Sequence, residues 1–331
     1  MGGYEPSWDR PHAPGPEIEW QESDCYWFYD QVQGVGGYHR IGQKVNKNSG
    51  QIMLLAFKEG GQRYAMFDNS PHEDYRCEPG CRWDTGQRVR QHTAEALSDG
   101  SMRYTWEEPG TSAQLEFYES FHEPSNWPKG GAGVAESVLN PDGHLEVGGR
   151  LRGTVRIGNE SYEIDALAHR DRSWGNRESG RKIDWRRYRM VSGTVGPELS
   201  FASFALDRDG QHITTGLVFR NGVGNAVRNL RCITTFDADG YTAMGALALL
   251  TLDTGEVIRL HLEAVQGFMS KAMGDSFLTD TICRVTWEGR TGFCDLEMSP
   301  NPLRGTYIPT AADGSLLRIG ETLSKSSNYV V

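Results

Sequence analysis

The chain has 331 residues, more than one average domain carries, so two domains or one large all-β unit is expected. A formal charge of −10 opposes a nucleic-acid backbone or an anionic membrane surface as the main partner. No run reaches the ~18 apolar residues that cross a bilayer, so no membrane span is expected.

The opening MGGYEPSWDRPHAPGPE lacks the basic head and apolar run of a secretory signal. The six cysteines are scattered rather than dense, which suits free thiols, and a cytoplasmic protein is the expectation. Residues 1–19, with Pro6, Pro11, Pro14 and Pro16, read as an extended arm. Next, Cys25-Tyr-Trp-Phe-Tyr29 and Gly34-Val-Gly-Gly-Tyr-His-Arg40 concentrate Tyr26, Tyr29, Tyr38 and His39 near a flexible turn. These side chains serve either as barrel core or as the aromatic, proton-exchanging lining of a substrate site. The glycines match no phosphate-binding pattern. Cys77 and Cys81, with His92 further on, have a spacing that zinc could use. No second ligand pair follows, so no metal is expected.

Asp-Gly pairs at 99–100, 142–143, 209–210, 239–240 and 313–314, with Thr254-Gly255, separate short alternating runs, the signature of β-hairpins. A long amphipathic helix is not apparent, so the class is mainly antiparallel β. The Pro- and Gly-rich stretch 122–143 interrupts the rhythm and suggests a domain boundary, with one barrel over 20–140 and another over 141–331.

The stretch Ala168-His-Arg-Asp-Arg-Ser-Trp-Gly-Asn-Arg177 is dense in chemistry. On the strand leading into it, Tyr162, Ile164, Ala166 and Ala168 share one face, and Glu163, Asp165, Leu167, His169 and Asp171 the other. The ionisable face is either solvated or a site, because arginines beside Asp171 would fix and tune a carboxyl group for acid–base work. Farther on, Asp184-Trp-Arg-Arg-Tyr-Arg189 brings Arg187 and Tyr188 into a basic run that would receive a phenolate or carboxylate, or form surface ion pairs. Gly274-Asp-Ser-Phe-Leu278 is only superficially esterase-like, since no histidine follows it.

From His144, the phrase HLEVGGRLRGTVRIG leading into AHRDRSWGNR is similar to the core of the carotenoid 1,2-hydratase (hydroxyneurosporene synthase)-like superfamily. The matching core spans residues 144–177. The resemblance implies two packed lipocalin-like β-barrels and a cofactor-independent lyase, a hydratase or an aldehyde-releasing enzyme. An isomerase or cyclase, or a non-catalytic carrier, is the alternative. The implied ligand is a hydrophobic isoprenoid or phenolic small molecule, and a homodimer is left open. Carried over, Asp171 is the proton donor; His169, on the same strand face, either serves as its proton partner or simply pairs with Asp171 or Asp165. Arg170 and Arg177 orient Asp171 or hold an anionic end, and Trp174 shelters a cationic intermediate. Arg172 departs from the histidine usual at its place, exchanging a titratable ring for a fixed cation.

Overall fold

The structure, a computed structural model, describes residues 4–68, 86–127, 142–177, 183–208, 210–237, 242–273, 276–299 and 315–317. The chain divides into two units, Met1–Arg181 and Lys182–Val331. Among the described residues no helix is long and apolar enough to cross a membrane.

The first unit is one antiparallel sheet. Its strands are β1 (Trp20–Asp30), β2 (Val35–Lys44), β3 (Ser49–Lys58), β4 (Arg63–Asp68), β5 (Gly86–Val89), β6 (His92–Ala96), β7 (Met102–Glu108), β8 (Thr111–Ser120), β9 (Gly143–Ile157) and β10 (Glu160–Asn176). They lie side by side in the order β4-β3-β2-β1-β10-β9-β8-β7-β6-β5. The sheet curls around an apolar interior that includes Phe28, Ile52, Leu54, Leu115, Val147 and Ala166. Polar side chains tie its two halves together. Tyr104 on β7 donates to Asp24 on β1 at 2.8 Å, His39 on β2 bonds His92 on β6 at 2.9 Å, and Gln43 on β2 donates to the Arg88 carbonyl on β5 at 3.0 Å.

The second unit contains β11 (Ile183–Thr194), β12 (Leu199–Arg208), β13 (Gln211–Arg220), β14 (Val223–Phe236), β15 (Ala243–Leu252), β16 (Val257–Met273), β17 (Ser276–Trp287) and β18 (Arg290–Met298). The β13–β14 pairing closes these eight antiparallel strands into a barrel. A short β19 (Ser315–Leu317) adds in parallel to β14. Leu199, Phe201, Val218, Leu250, Leu260 and Val285 fill its core.

Turn chemistry sets several connections as the sequence predicts. Gly100, Gly210 and Gly255 have φ of +88°, +76° and +85°, values that glycine reaches without steric cost. Asp142-Gly143 is different, because Gly143 opens β9 instead of forming a hairpin tip. Asp239-Gly240 and Asp313-Gly314 include positions outside the described residues.

The expected boundary at 140/141 is corrected. β8 and β9 flank the Pro- and Gly-rich stretch yet pair directly, with Thr111 opposite Ile157, so the stretch is an insertion within one sheet. The AHRDRSWGNR strand therefore belongs to the first unit. Nor is the N-terminal arm simply extended. Pro6–Asp9 forms a 3₁₀ turn whose Trp8 and Asp9 are buried.

Candidate active site

The strand β10 alternates as its sequence predicts up to Ala168. Ile164, Ala166 and Ala168 face the apolar interior, and Glu163 and Asp165 are exposed. Beyond that point the outer face is covered too, and both sides of the strand become polar and largely buried. Register then sorts the motif into two separate clusters.

On the outer face, the sheet aligns Arg40, Cys25, Asp171 and Glu146 in one cross-strand row. The adjoining row is Gly42, Ser23, Ser173 and His144. His169 Nε2 lies 2.6 Å from Glu146 Oε2, and His144 Nε2 lies 3.0 Å from Glu146 Oε1. Asp171 Oδ2 is 3.8 Å from His144 Nε2. The other Asp171 oxygen, Oδ1, is buried without a hydrogen-bond partner, although the side chain as a whole keeps 18% exposure. A chain of proton-exchanging groups thus runs from a fully buried histidine through a carboxylate and a second histidine to an acid that solvent can reach.

Aromatic rings border this chain. Trp127 lies 4.4 Å from His144, Trp27 lies 6.3 Å from His169, and Tyr38 stacks on Trp27 at 5.1 Å. The segment after β8 caps the cluster, with His122 Nε2 accepting from the Gly148 amide at 3.2 Å. Burial holds the His122 imidazole neutral, with its pKa lowered to about 3. Donor atoms of His144, Glu146 and Asp171 all lie within 4.8 Å of one another, a spacing that a metal ion could bridge.

On the inner face, β10 presents Arg170, Arg172 and Trp174. Arg170 pairs with Asp9 at 2.5 Å. Arg172 donates to the Trp8 carbonyl at 3.2 Å, the Arg10 carbonyl at 2.8 Å and Glu22 at 2.6 Å. His12 stacks on Trp174 at 3.8 Å and bonds Glu22 at 2.8 Å. These residues clamp the N-terminal arm over the end of the curled sheet. Arg172 can replace the histidine that the resemblance leads one to expect because its side chain is a structural anchor, turned away from Asp171. Within this cluster burial lifts the Asp24 carboxyl to about 6 despite the opposing charges of Arg172 and Arg170.

Several sequence expectations are therefore redistributed. His169 and Asp171 share a site, joined by Glu146 and His144. Arg170 and Trp174 point to the opposite face, so neither orients nor shelters Asp171, because alternation along a strand separates adjacent residues. Arg177 lies on the Asp171 side but donates to Ser173 at 2.9 Å. Tyr38 borders the site, whereas Tyr29 lies beyond His169 and donates to Glu59 at 2.5 Å. Tyr26 and His39 face the interior. His92, considered for zinc, bridges His39 and Glu108, while Cys77 and Cys81 lie outside the described residues. Tyr188, in the second unit, donates to Glu297 at 3.2 Å, and the Arg187 side chain lies outside the described residues.

The structure adds His144, Glu146, Trp27 and Arg40 to this outer-face cluster. The signal for the first two was present in H-x-E, which at the β period puts both side chains on one face. It gains meaning only when β9 is placed beside β10.

The architecture is shared with solved structures. An AttH-like protein from Nitrosomonas europaea superposes with a TM-score of 0.64 at 12% identity, covering 87% of this chain and 94% of that one. Kievitone hydratase from Nectria haematococca gives 0.58 at 10% identity, covering 87% and 89%. CghA gives 0.59 at 12% identity, covering 86% and 89%. At such identities the likeness speaks to the fold, which is lipocalin-like. No curated protein matches the chain significantly. The model of a domain of unknown function, DUF7064, matches residues 5–302, and the chain belongs to that family.

Proposed function

We propose that this protein is an acid–base lyase of hydratase type, related to the carotenoid 1,2-hydratase-like superfamily, acting on a hydrophobic isoprenoid or phenolic molecule. One observation carries the reading. Asp171 is partly accessible, has one oxygen free of hydrogen bonds, and has the other directed towards the His144–Glu146–His169 chain. A general acid needs that combination of reach to substrate and connection to a proton reservoir.

In the hydration direction, Asp171 gives its proton to one carbon of an alkene and a cation develops on the neighbouring carbon. Trp27 and Trp127 offer π faces for that charge. Water adds to the cation, and its surplus proton returns to the Asp171 carboxylate or enters the chain at His144, from which Asp171 is recharged. Elimination is the reverse, with Asp171 protonating the departing hydroxyl. Glu146 between two imidazoles stabilises either of them as it takes up charge. Every step is a proton transfer or an addition of water, so the reading needs no redox cofactor. The kinship in fold to a protein named kievitone hydratase supports the same class of chemistry.

The test is mass spectrometry of a small-molecule extract incubated with and without the protein. A compound that gains or loses one water only with active protein supports the reading. A ligand recovered unchanged throughout contradicts it and favours a carrier.

A further inference from the structure

We propose that Arg40, Lys44 and Arg177, with the hydroxyls of Ser23 and Ser173, form a subsite for a carboxylate on the substrate, next to Asp171. The inference rests on the reading that Asp171 is the reacting acid and specifies the substrate class as a hydrophobic carboxylic acid.

The register supplies the geometry. Arg40, Gly42 and Lys44 alternate onto the outer face of β2, the same face that carries Asp171 and Ser173 on β10. Arg40 is level with Asp171, separated from it only by Cys25 on β1. The guanidinium leans over Gly42, where a Cβ would come within 3.1 Å of Nη1. That brings it into the row of Ser23 and Ser173, whose hydroxyls lie 3.0 Å apart. Arg177 donates to the Ser173 hydroxyl from the other side at 2.9 Å.

Electrostatics point to an anion. The chain as a whole is acidic, yet here three cations converge on one patch. Arg40 Nη1 is buried with no hydrogen-bond partner. Lys44 has its pKa lowered to about 8, by burial first and then by the positive charges of Arg40, Lys47 and Arg177, with Glu19 opposing. A carboxylate would satisfy the Arg40 donor and relieve that repulsion through charge-assisted hydrogen bonds. Burial, followed by the charge of Asp171, raises the Cys25 thiol well above its ordinary pKa, so the floor between subsite and acid is neutral. Two strand spacings separate the Arg40 and Asp171 backbones by roughly 9–10 Å, the span a substrate would bridge between its carboxylate and its reacting carbon.

The test compares 3-phenylpropanoate, 3-phenylpropan-1-ol and phenyl phosphate as probes of the full chain, by saturation titration at constant ionic strength of about 0.1 M. The carboxylate is expected to bind about tenfold or more tighter than the alcohol. Arg40→Met should erase that preference, Arg40→Lys should keep part of it, and Asp171→Asn should keep all of it. Equal affinity for acid and alcohol, no saturable binding of the acid, or a preference unchanged in Arg40→Met overturns the subsite. Phenyl phosphate binding tighter than the acid overturns the assignment to a carboxylate. The Asp171 reading fails separately, if Asp171→Asn turns substrate over at the wild-type rate.

Discussion

Glu146 holds His169 at 2.6 Å through one oxygen and His144 at 3.0 Å through the other. Both histidines and the carboxylate are almost fully buried. The His169 contact ties β10 to β9, the His144 contact runs along β9, and together they link Asp171 to the fully buried His169. Replacing the carboxylate by an amide, Glu146→Gln, keeps the shape and removes the charge. The expected result is folded protein, destabilised by about 1–3 kcal/mol, with turnover reduced far more than substrate affinity. Chemical denaturation and steady-state kinetics check the two parts.

The Asp9–Arg170 pair is buried on both sides and fastens the N-terminal arm. Burial raises the Asp9 pKa, but the charge and hydrogen bond of Arg170, with the Tyr4 hydroxyl, outweigh it and hold the carboxyl below its ordinary value. The pair's contribution is therefore complete above the unfolded-state pKa and is lost as acid titrates the folded carboxyl. Asp9→Ala should cost about 3–5 kcal/mol at neutral pH, since it strands Arg170 without its partner. Acidification below about pH 4 should narrow the gap between variant and wild type. Urea midpoints at several pH values measure it.

His122 titrates with the same consequence for the proton balance, although here it is the neutral form that folding favours. Its imidazole is buried and neutral, with a pKa of about 3 against 6.5 unfolded, so the unfolded chain binds the extra proton between those values. Stability conferred by this position is complete above about pH 6.5 and falls as pH drops towards 3. Between pH 7 and pH 5 the loss is on the order of 2 kcal/mol. His122→Gln should flatten that slope, which parallel denaturation curves would show.

Gly143 faces Trp174 so closely that a Cβ would lie 2.1 Å from the indole Cζ2. The ring is held on its far side by His12 and by the surrounding Trp8, Trp20 and Leu145. Gly143→Ala should cost roughly 1–3 kcal/mol through overpacking. Loosening of the arm should accompany it, visible as faster proteolysis near residues 4–12 with little change in secondary structure.

Much of the fold was legible because period-two alternation and Asp-Gly turns are local signals. The sequence shows that Ile164, Ala166 and Ala168 share an apolar side and that Asp171 stands with His169 on the other. The domain boundary was not legible, since a Pro- and Gly-rich insertion looks the same whether its flanking strands pair with each other or part. The partners of Asp171 were hidden for a related reason. His144 and Glu146 lie on β9, and Arg40 lies two strands away in space, so only register brings them together. Arg170 and Trp174 misled by sequence proximity, because immediate and odd-numbered neighbours on a strand face opposite ways.

Proton delivery by Asp171 is tested most directly by running the reaction in D₂O with a prenylated phenol or isoprenoid alkene that the enzyme turns over. Wild type should form a hydrated product carrying one carbon-bound deuterium, and Asp171→Asn should form it at least about a hundredfold more slowly while remaining folded. An Asp171→Asn protein that produces the same deuterated product at the wild-type rate would contradict the account.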